Sequence, residues 1–206
     1  MKTLGRALAL TVFASVLSFG AIIDNFNTDF GPVSDIDPTV GPLTLGKLSV
    51  DKTDGANSNS VAANITEGEF TISAGRNATG WGAVSYSGLW DLSSTGSMLS
   101  LDLVFKDLAG GALSFWVSDD GGTTRLVSPL ILLPGSPASI AAFLSTFTGS
   151  GVDLSSINAL GVIAYTSTQQ DLSFDNFGTQ IVPEPGTYAT LAVGLLGLFA
   201  IRRKRA

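Results

Sequence analysis

The 206-residue chain contains no cysteine and no histidine. Without cysteine it forms no disulfide, no thiolate zinc site and no cysteine nucleophile. Without histidine it lacks the commonest general base, which excludes Ser-His-Asp hydrolysis and histidine-ligated metal catalysis. Charged residues make up 14% of the chain, against roughly 25% in typical soluble proteins. These absences argue against a conventional enzyme.

The N-terminal segment, residues 1–20, has the pattern of a secretory signal peptide. Lys2 and Arg6 precede an apolar run, and small residues occupy the first and third positions of Ser18-Phe19-Gly20. We predict export through the Sec translocon and cleavage by signal peptidase after this tripeptide. The alternative is a membrane helix retained in the mature protein, for which the run is short.

The C-terminal segment, residues 181–206, combines a linker, an apolar stretch and a basic end. Pro183, Glu184 and Pro185 predict an extended linker, because proline has no amide hydrogen to donate. Residues 188–201 contain no charged side chain. They predict a single transmembrane helix of about 21 Å, short against a hydrocarbon core of about 30 Å. A buried C-terminal helix is the alternative, although a core helix normally carries a polar face.

Four basic residues precede the last residue, Ala206, and favour retention of this end of the helix on the cytoplasmic side: Arg202, Arg203, Lys204 and Arg205. The order of Pro-Glu-Pro, short apolar helix and arginine-rich end resembles the PEP-CTERM sorting signal of Gram-negative bacteria that make extracellular polysaccharide. The resemblance implies recognition by an exosortase, a membrane processing enzyme, with cleavage near the Pro-Glu-Pro triplet. The protein would be anchored transiently in the inner membrane, then delivered to the cell surface or extracellular matrix.

Between the two signals, residues 21–180 carry five basic and sixteen acidic residues, a net charge of −11. A domain this acidic argues against nucleic acid as a partner, because phosphate backbones are themselves anionic. It is compatible with divalent cations or neutral glycans.

The same segment predicts an all-β fold. Apolar residues alternate with polar ones in 69–74 and 98–105, as in strands with one wet face. Without long helical periods, such runs predict an antiparallel, jelly-roll-like β-sandwich. Residues 139–146 fit either a helical turn or another strand. The nine predicted strands are 45–50, 60–65, 69–74, 82–87, 98–105, 112–118, 123–133, 160–166 and 172–177.

The sequence Ser-Asp-Asp-Gly-Gly-Thr at 118–123 predicts a hairpin turn, with Gly121 and Gly122 at positive φ. An acidic turn also offers oxygen ligands to calcium, although the twelve-residue EF-hand pattern is absent. The plain turn is the preferred interpretation.

A second resemblance concerns the two ends of this domain. Residues 22–26 and the segments from 147 to 177 resemble the first and last strands of carbohydrate-binding jelly rolls, and Asp-Asn-Phe occurs at both ends. This repetition suits first and last strands that lie side by side. The resemblance makes Asp24 and Asp175 candidate ligands of a structural calcium ion. The alternative is that each caps a turn.

Aromatic residues cluster at Trp81, Tyr86 and Trp90, and Trp116 follows later in the chain. Rings that stack on sugars would make the first three candidate glycan-binding residues. Trp81 is the best of them, because flanking glycines leave its ring accessible. The preferred interpretation is that all these rings fill the core.

Three functions follow from these observations. The first is an exported, non-catalytic surface or matrix protein with a structural or adhesive sandwich. The second is a lectin-like module for extracellular polysaccharide, whose binding would depend on Trp81 but not on Trp116. The third is a glycosidase, which requires two carboxyl groups about 5 to 10 Å apart in a cleft.

Overall fold

The computed structural model describes residues 19–35, 43–55, 59–94, 96–107 and 110–181. Fourteen strands form two antiparallel sheets of seven strands each. The strands are β1 (Phe19–Asp24), β2 (Phe30–Asp35), β3 (Leu43–Leu45), β4 (Leu48–Gly55), β5 (Val61–Thr66), β6 (Glu69–Ala74), β7 (Ala78–Trp90), β8 (Ser97–Lys106), β9 (Ala112–Ser118), β10 (Leu126–Val127), β11 (Ile131–Leu132), β12 (Ala138–Phe143), β13 (Ile157–Thr166) and β14 (Asp171–Ile181).

One sheet, here sheet A, has the order β12-β8-β14-β6-β5-β2, and β1 pairs with the second half of β14. The other, sheet B, has the order β10-β9-β13-β7-β4-β3, and β11 pairs with β9. The predicted antiparallel β-sandwich is therefore confirmed.

Aromatic rings fill the space between the sheets. The Phe70 ring centroid lies 5.9 Å from that of Phe26 and 6.0 Å from that of Phe174. Phe177 of sheet A stacks on Phe115 of sheet B at 6.1 Å. All five rings are fully buried. Burial of this much apolar surface is the main favourable term in folding.

Most predicted strands lie where the alternation placed them, but two predicted strands are each divided. The run 45–50 is split by a turn at Gly46, whose φ of +53° favours glycine. The run 123–133 forms β10 and β11 separated by Ser128–Leu130, where Pro129 has no amide hydrogen to continue a ladder. Residues 139–146 contain both proposed structures: β12, then a 3₁₀ turn over Leu144–Thr146.

The prediction that the first and last strands adjoin is confirmed. β1 runs antiparallel to β14, with Phe19 opposite Ile181 and Asp24 opposite Phe177. β1 begins two residues before the predicted first residue of the mature protein, Ala21. Cleavage after Gly20 would therefore leave Ala21–Asp24 to pair with β14.

The predicted signal peptide lies outside the described residues up to position 18, as do the whole predicted linker, transmembrane helix and basic end, residues 182–206. Across the residues that the structure does describe, there is no helix with the length and apolar character needed to cross a membrane.

A polar cluster joins the end of β1 to sheet B. The Asp24 carboxylate accepts hydrogen bonds from Lys47 Nζ at 2.5 Å, Tyr86 Oη at 2.5 Å and the Phe26 amide at 2.7 Å. The Tyr86 ring packs on Phe177, with centroids 5.6 Å apart. Burial raises the pKa of Asp24, but the hydrogen bonds from Lys47, Tyr86 and Phe26 outweigh it and lower that pKa overall. Burial, with the adjacent Asp24 charge, raises the pKa of Tyr86.

We predict that Asp24→Asn lowers the free energy of unfolding by about 1–3 kcal/mol at neutral pH, because a charged hydrogen-bond acceptor is lost and Lys47 is left without its carboxylate. Since the folded-state pKa of Asp24 is lowered, its contribution is present above the unfolded-state pKa and is lost as pH falls through the folded-state pKa. Urea unfolding of both proteins across an acid pH series measures the difference. If the difference in free energy of unfolding between the unchanged protein and Asp24→Asn did not vary with pH, the role given to the Asp24 charge would be contradicted.

Candidate functional site

The outer face of sheet B carries a groove of about 310 Å³. Strands β3, β4, β7, β9 and β13, together with the residue that precedes β10, supply its walls and floor. Its lining residues are Thr44, Ser49, Trp81, Ala83, Ser85, Trp116, Arg125 and Ile163.

The alternation of β7 explains one wall of the groove. Val84 and Tyr86 pack against the core, so Trp81, Ala83 and Ser85 face outward. Trp81 is half-buried and lies opposite Tyr165 of β13. Because Ala83 pairs with Ile163 on β13, small and medium side chains form the floor beside the Trp81 ring.

The opposite wall is a layered unit of three residues. Gly161 of β13 pairs with Trp116 of β9, and a β-carbon on Gly161 would lie 2.9 Å from the Trp116 ring. The Arg125 guanidinium lies 4.1 Å above the centroid of the same ring, a cation–π contact. Arg125 Nε donates to the Gly122 carbonyl at 2.8 Å, which fixes the guanidinium over the ring. Trp116 is therefore only 4% exposed, although it lies outside the core.

Hydroxyl groups complete the lining. Thr44 Oγ1 and Ser49 Oγ lie 3.0 Å apart at one side, and Ser85 contributes a third hydroxyl. Aromatic rings can stack on the apolar faces of sugar rings, and hydroxyl and guanidinium groups can hydrogen-bond to sugar hydroxyls. The groove thus combines the groups that recognition of a carbohydrate needs.

The three predicted glycan-binding rings do not share one surface. Trp81 lines the groove. Tyr86 lies on the inner face, with its hydroxyl bound to Asp24, and Trp90 packs partly against the core near the end of β7. Trp116, which the sequence places apart from the predicted binding surface, lines the same groove as Trp81. It therefore cannot serve as a non-binding control.

The two candidate calcium ligands lie in different surroundings. The Asp24 carboxylate accepts hydrogen bonds from Lys47 and Tyr86, so a metal ion bound to it would have to displace the Lys47 ammonium group. Asp175 accepts from the Asn176 amide, and its register partner on β8 is Asp102. The part of the chain that the structure describes contains no group of three or more acidic side chains arranged to hold a metal. Structural calcium stays a prediction.

The hairpin predicted at 118–123 is confirmed between β9 and β10, with φ of +76° at Gly121 and +98° at Gly122. Asp120 accepts from Ser118 Oγ at 2.6 Å and from the Thr124 amide at 2.8 Å. These hydrogen bonds lower the pKa of Asp120, so its side chain is negatively charged. Its carboxylate oxygens accept hydrogen bonds within the turn.

A second cleft of about 250 Å³ lies on the outer face of sheet A, beside β1. Asp102 accepts there from Asn176 Nδ2 at 3.1 Å, and Gln180 Nε2 donates to Ser100 Oγ at 3.2 Å. Asp102 is the one carboxylate among its lining residues, and the groove on sheet B has none. Neither of these two described depressions contains the carboxylate pair that the glycosidase hypothesis requires.

The predicted processing residues Pro183, Glu184 and Pro185 and the basic residues 202–205 lie outside the described residues. Residues 182–205 match the PEP-CTERM protein-sorting motif. This match indicates an exported protein that is membrane-anchored before processing by an exosortase. The chain matches no curated protein.

Solved structures with a similar fold include carbohydrate-binding modules. The family 11 module from Clostridium thermocellum in complex with a β-1,3-1,4-mixed-linked tetrasaccharide is 14% identical, with a TM-score of 0.45 over 81% of this chain and 97% of that one. The solution structure of CtCBM11 is 15% identical, with a TM-score of 0.49 over 83% and 99%. An agarase is 17% identical, with a TM-score of 0.48 over 75% of this chain and 25% of the agarase. These are similarities of overall architecture.

We predict that Gly161→Ala displaces Trp116 and lowers the free energy of unfolding by about 1–3 kcal/mol, as overpacking does elsewhere. The added β-carbon would meet the Val84 carbonyl oxygen at 2.4 Å as well as the Trp116 ring. Urea unfolding followed by circular dichroism measures the change. Gly135→Ala is the matched control, because no atom lies within 4 Å of its β-carbon position. Equal stability of the two variants would contradict the layered arrangement.

Proposed function

We propose that this protein is exported, released from its membrane anchor by an exosortase, and retained at the cell surface or in the extracellular matrix by binding polysaccharide through the groove on sheet B. The proposal gives the structural or adhesive role a mechanism, because the domain would adhere to the matrix through its glycan. The domain itself is proposed to be non-catalytic.

The observation that carries the proposal is the pair Trp81 and Trp116 on the outer face of one sheet. Large aromatic rings usually lie in a core or at an interface, since their exposure to water is unfavourable. By strand geometry, the two residues are separated by about 13 Å along the strands and about 10 Å across them. A groove with the Trp81 ring at one end and Arg125, supported on Trp116, at the other suits an extended oligosaccharide better than a single sugar.

The backbone that carries the groove residues also supports the proposal. Its lining residues lie mainly on long, paired strands, and β13 is hydrogen-bonded to a neighbour on both sides. Sites on such elements hold their side chains in place before a ligand arrives, which reduces the entropy lost on binding.

We expect Trp81→Ala to weaken binding to a recognised polysaccharide by at least about tenfold, because a stacking platform is lost; base–aromatic stacking offers a comparable scale of about 1–3 kcal/mol. Trp116→Ala should weaken binding as well, because Arg125 loses the ring that supports it at the groove. Affinity electrophoresis of the full chain in mild detergent, through gels that contain individual bacterial polysaccharides, measures the effect.

Phe105→Ala is the matched control, because Phe105 is an aromatic residue that is 50% exposed and lies on β8 of the other sheet. Its retardation should equal that of the unchanged protein. A chain that no polysaccharide retards, or that is retarded equally with and without Trp81, would contradict the proposal and leave a purely structural role.

Processing is tested by the intact mass of the protein recovered from its native surface. We predict that the exported form lacks residues 188–206, because the sorting motif is removed near Pro183-Glu184-Pro185. In cells without the exosortase, the mass should include this segment. Recovery of the segment in the surface form from normal cells would contradict cleavage.

A further inference from the structure

Arg125 is the one charged residue among the lining of the sheet B groove, and it is positive. We propose that the groove selects an acidic polysaccharide, and that the Arg125 guanidinium binds the carboxylate or sulfate group of its sugar units. This inference rests on the proposed function, since it names the class of polysaccharide that the same groove takes.

The guanidinium is not neutralised by the protein. Among the described residues, no carboxylate oxygen forms a salt bridge with Arg125 within 4.0 Å. The two carboxylates of the adjacent turn have other partners: Asp120 binds Ser118 and Thr124, and Asp119 accepts from the Asp153 amide at 2.6 Å. The hydrogen bond from Arg125 to the Gly122 carbonyl uses Nε, which leaves both terminal amino groups for a ligand.

The outward-facing carboxylate on the strands that line the groove lies far from Arg125. Asp51 lies on β4, opposite Trp81. Strand β4 is three strand spacings from β9, or about 14 Å. At physiological ionic strength the screening length is about 8 Å, so Asp51 has little effect at the Trp116 end of the groove.

Arg125 is a positively charged residue in a strongly acidic domain. Residues 21–180 have a net charge of −11, so most of the surface repels a polyanion. An acidic polysaccharide would therefore bind only where the local field is reversed. Overall acidity is compatible with neutral glycans, but the local charge in the groove favours an anionic chain.

The geometry of Arg125 suits an anionic group in particular. Its planar guanidinium is held over the Trp116 ring, and its Nε donates to the Gly122 carbonyl. A guanidinium forms paired hydrogen bonds with carboxylate or sulfate oxygens, and such bonds are about twice as strong as neutral ones. A neutral glycan would cover the same cation without supplying a counter-charge, which is unfavourable.

The test compares alginate, a polyuronate, with carboxyl-reduced alginate, which keeps the linkages but lacks the charge, and with a sulfated galactan. Binding of the full chain in mild detergent is measured by affinity electrophoresis and by calorimetry. We expect at least one acidic polymer to bind about ten- to a hundredfold more tightly than the reduced one, the scale of a charged hydrogen-bond pair. If alginate binds more tightly than the sulfated galactan, the anionic group is a carboxylate; if the galactan binds more tightly, it is a sulfate.

Arg125→Gln should remove the preference for the acidic polymer, so that its affinity for alginate falls to its affinity for carboxyl-reduced alginate. Arg125→Lys should keep part of the preference, since lysine retains the charge without the planar fork. Equal loss of binding to both polymers in Arg125→Gln would show that Arg125 only supports Trp116, and would overturn the inference.

Two further outcomes separate the inference from the proposed function. If the unchanged protein binds neutral and acidic polymers equally and Trp81→Ala abolishes both, the groove binds glycans and the acidic selectivity is wrong. If the panel of polysaccharides gives no binding that depends on Trp81, the proposed function fails, and the selectivity fails with it.

Discussion

The hydrogen bonds of Asp24 fix the relation between the two sheets, and the outward groove depends on them. Tyr86 must point inward to reach Asp24, and side chains of a strand alternate between faces. With Tyr86 inward, Ser85, Ala83 and Trp81 point outward into the groove. A slip of one residue in β7 would turn Trp81 toward the core and expose Val84. A contact on the inner face thus determines which residues a ligand can meet on the outer face.

The pairing of β1 with β14 also brings the first and last described residues together. Phe19 lies opposite Ile181, so the predicted export signal and the matched sorting motif are attached at the same end of sheet A. Trp81 lies opposite Tyr165, one residue before the end of β13, and the chain then turns to begin β14 at Asp171. Since β14 extends about 35 Å by strand rise, the Trp81 end of the groove is far from the point where the sorting segment is attached.

Sequence patterns predicted the strands well where one face is polar, as in β6, whose alternation matches its burial. They could not predict which way Trp116 points, because all seven residues of β9 are buried and either phase of the alternation fits. That phase is set by Phe115 packing on Phe177, a contact between residues 62 positions apart. β2 was missed because its Gly31-Pro32 pair interrupts the pattern. The partners of Asp24 are 23 and 62 positions away, so only the tertiary fold reveals its role.

The wall formed by Gly161, Trp116 and Arg125 shows how an acidic domain can present an isolated positive group. Gly161 leaves room for the indole ring to approach the sheet, and the ring then supports the guanidinium plane. Stacking on an aromatic face stabilises a cation without neutralising it, whereas a salt bridge to one of the many acidic residues would cancel its charge. The protein therefore keeps the charge of Arg125 available by pairing it with a ring instead of a carboxylate. Trp81, at the other end of the groove, has no such cover and offers its ring directly to a ligand.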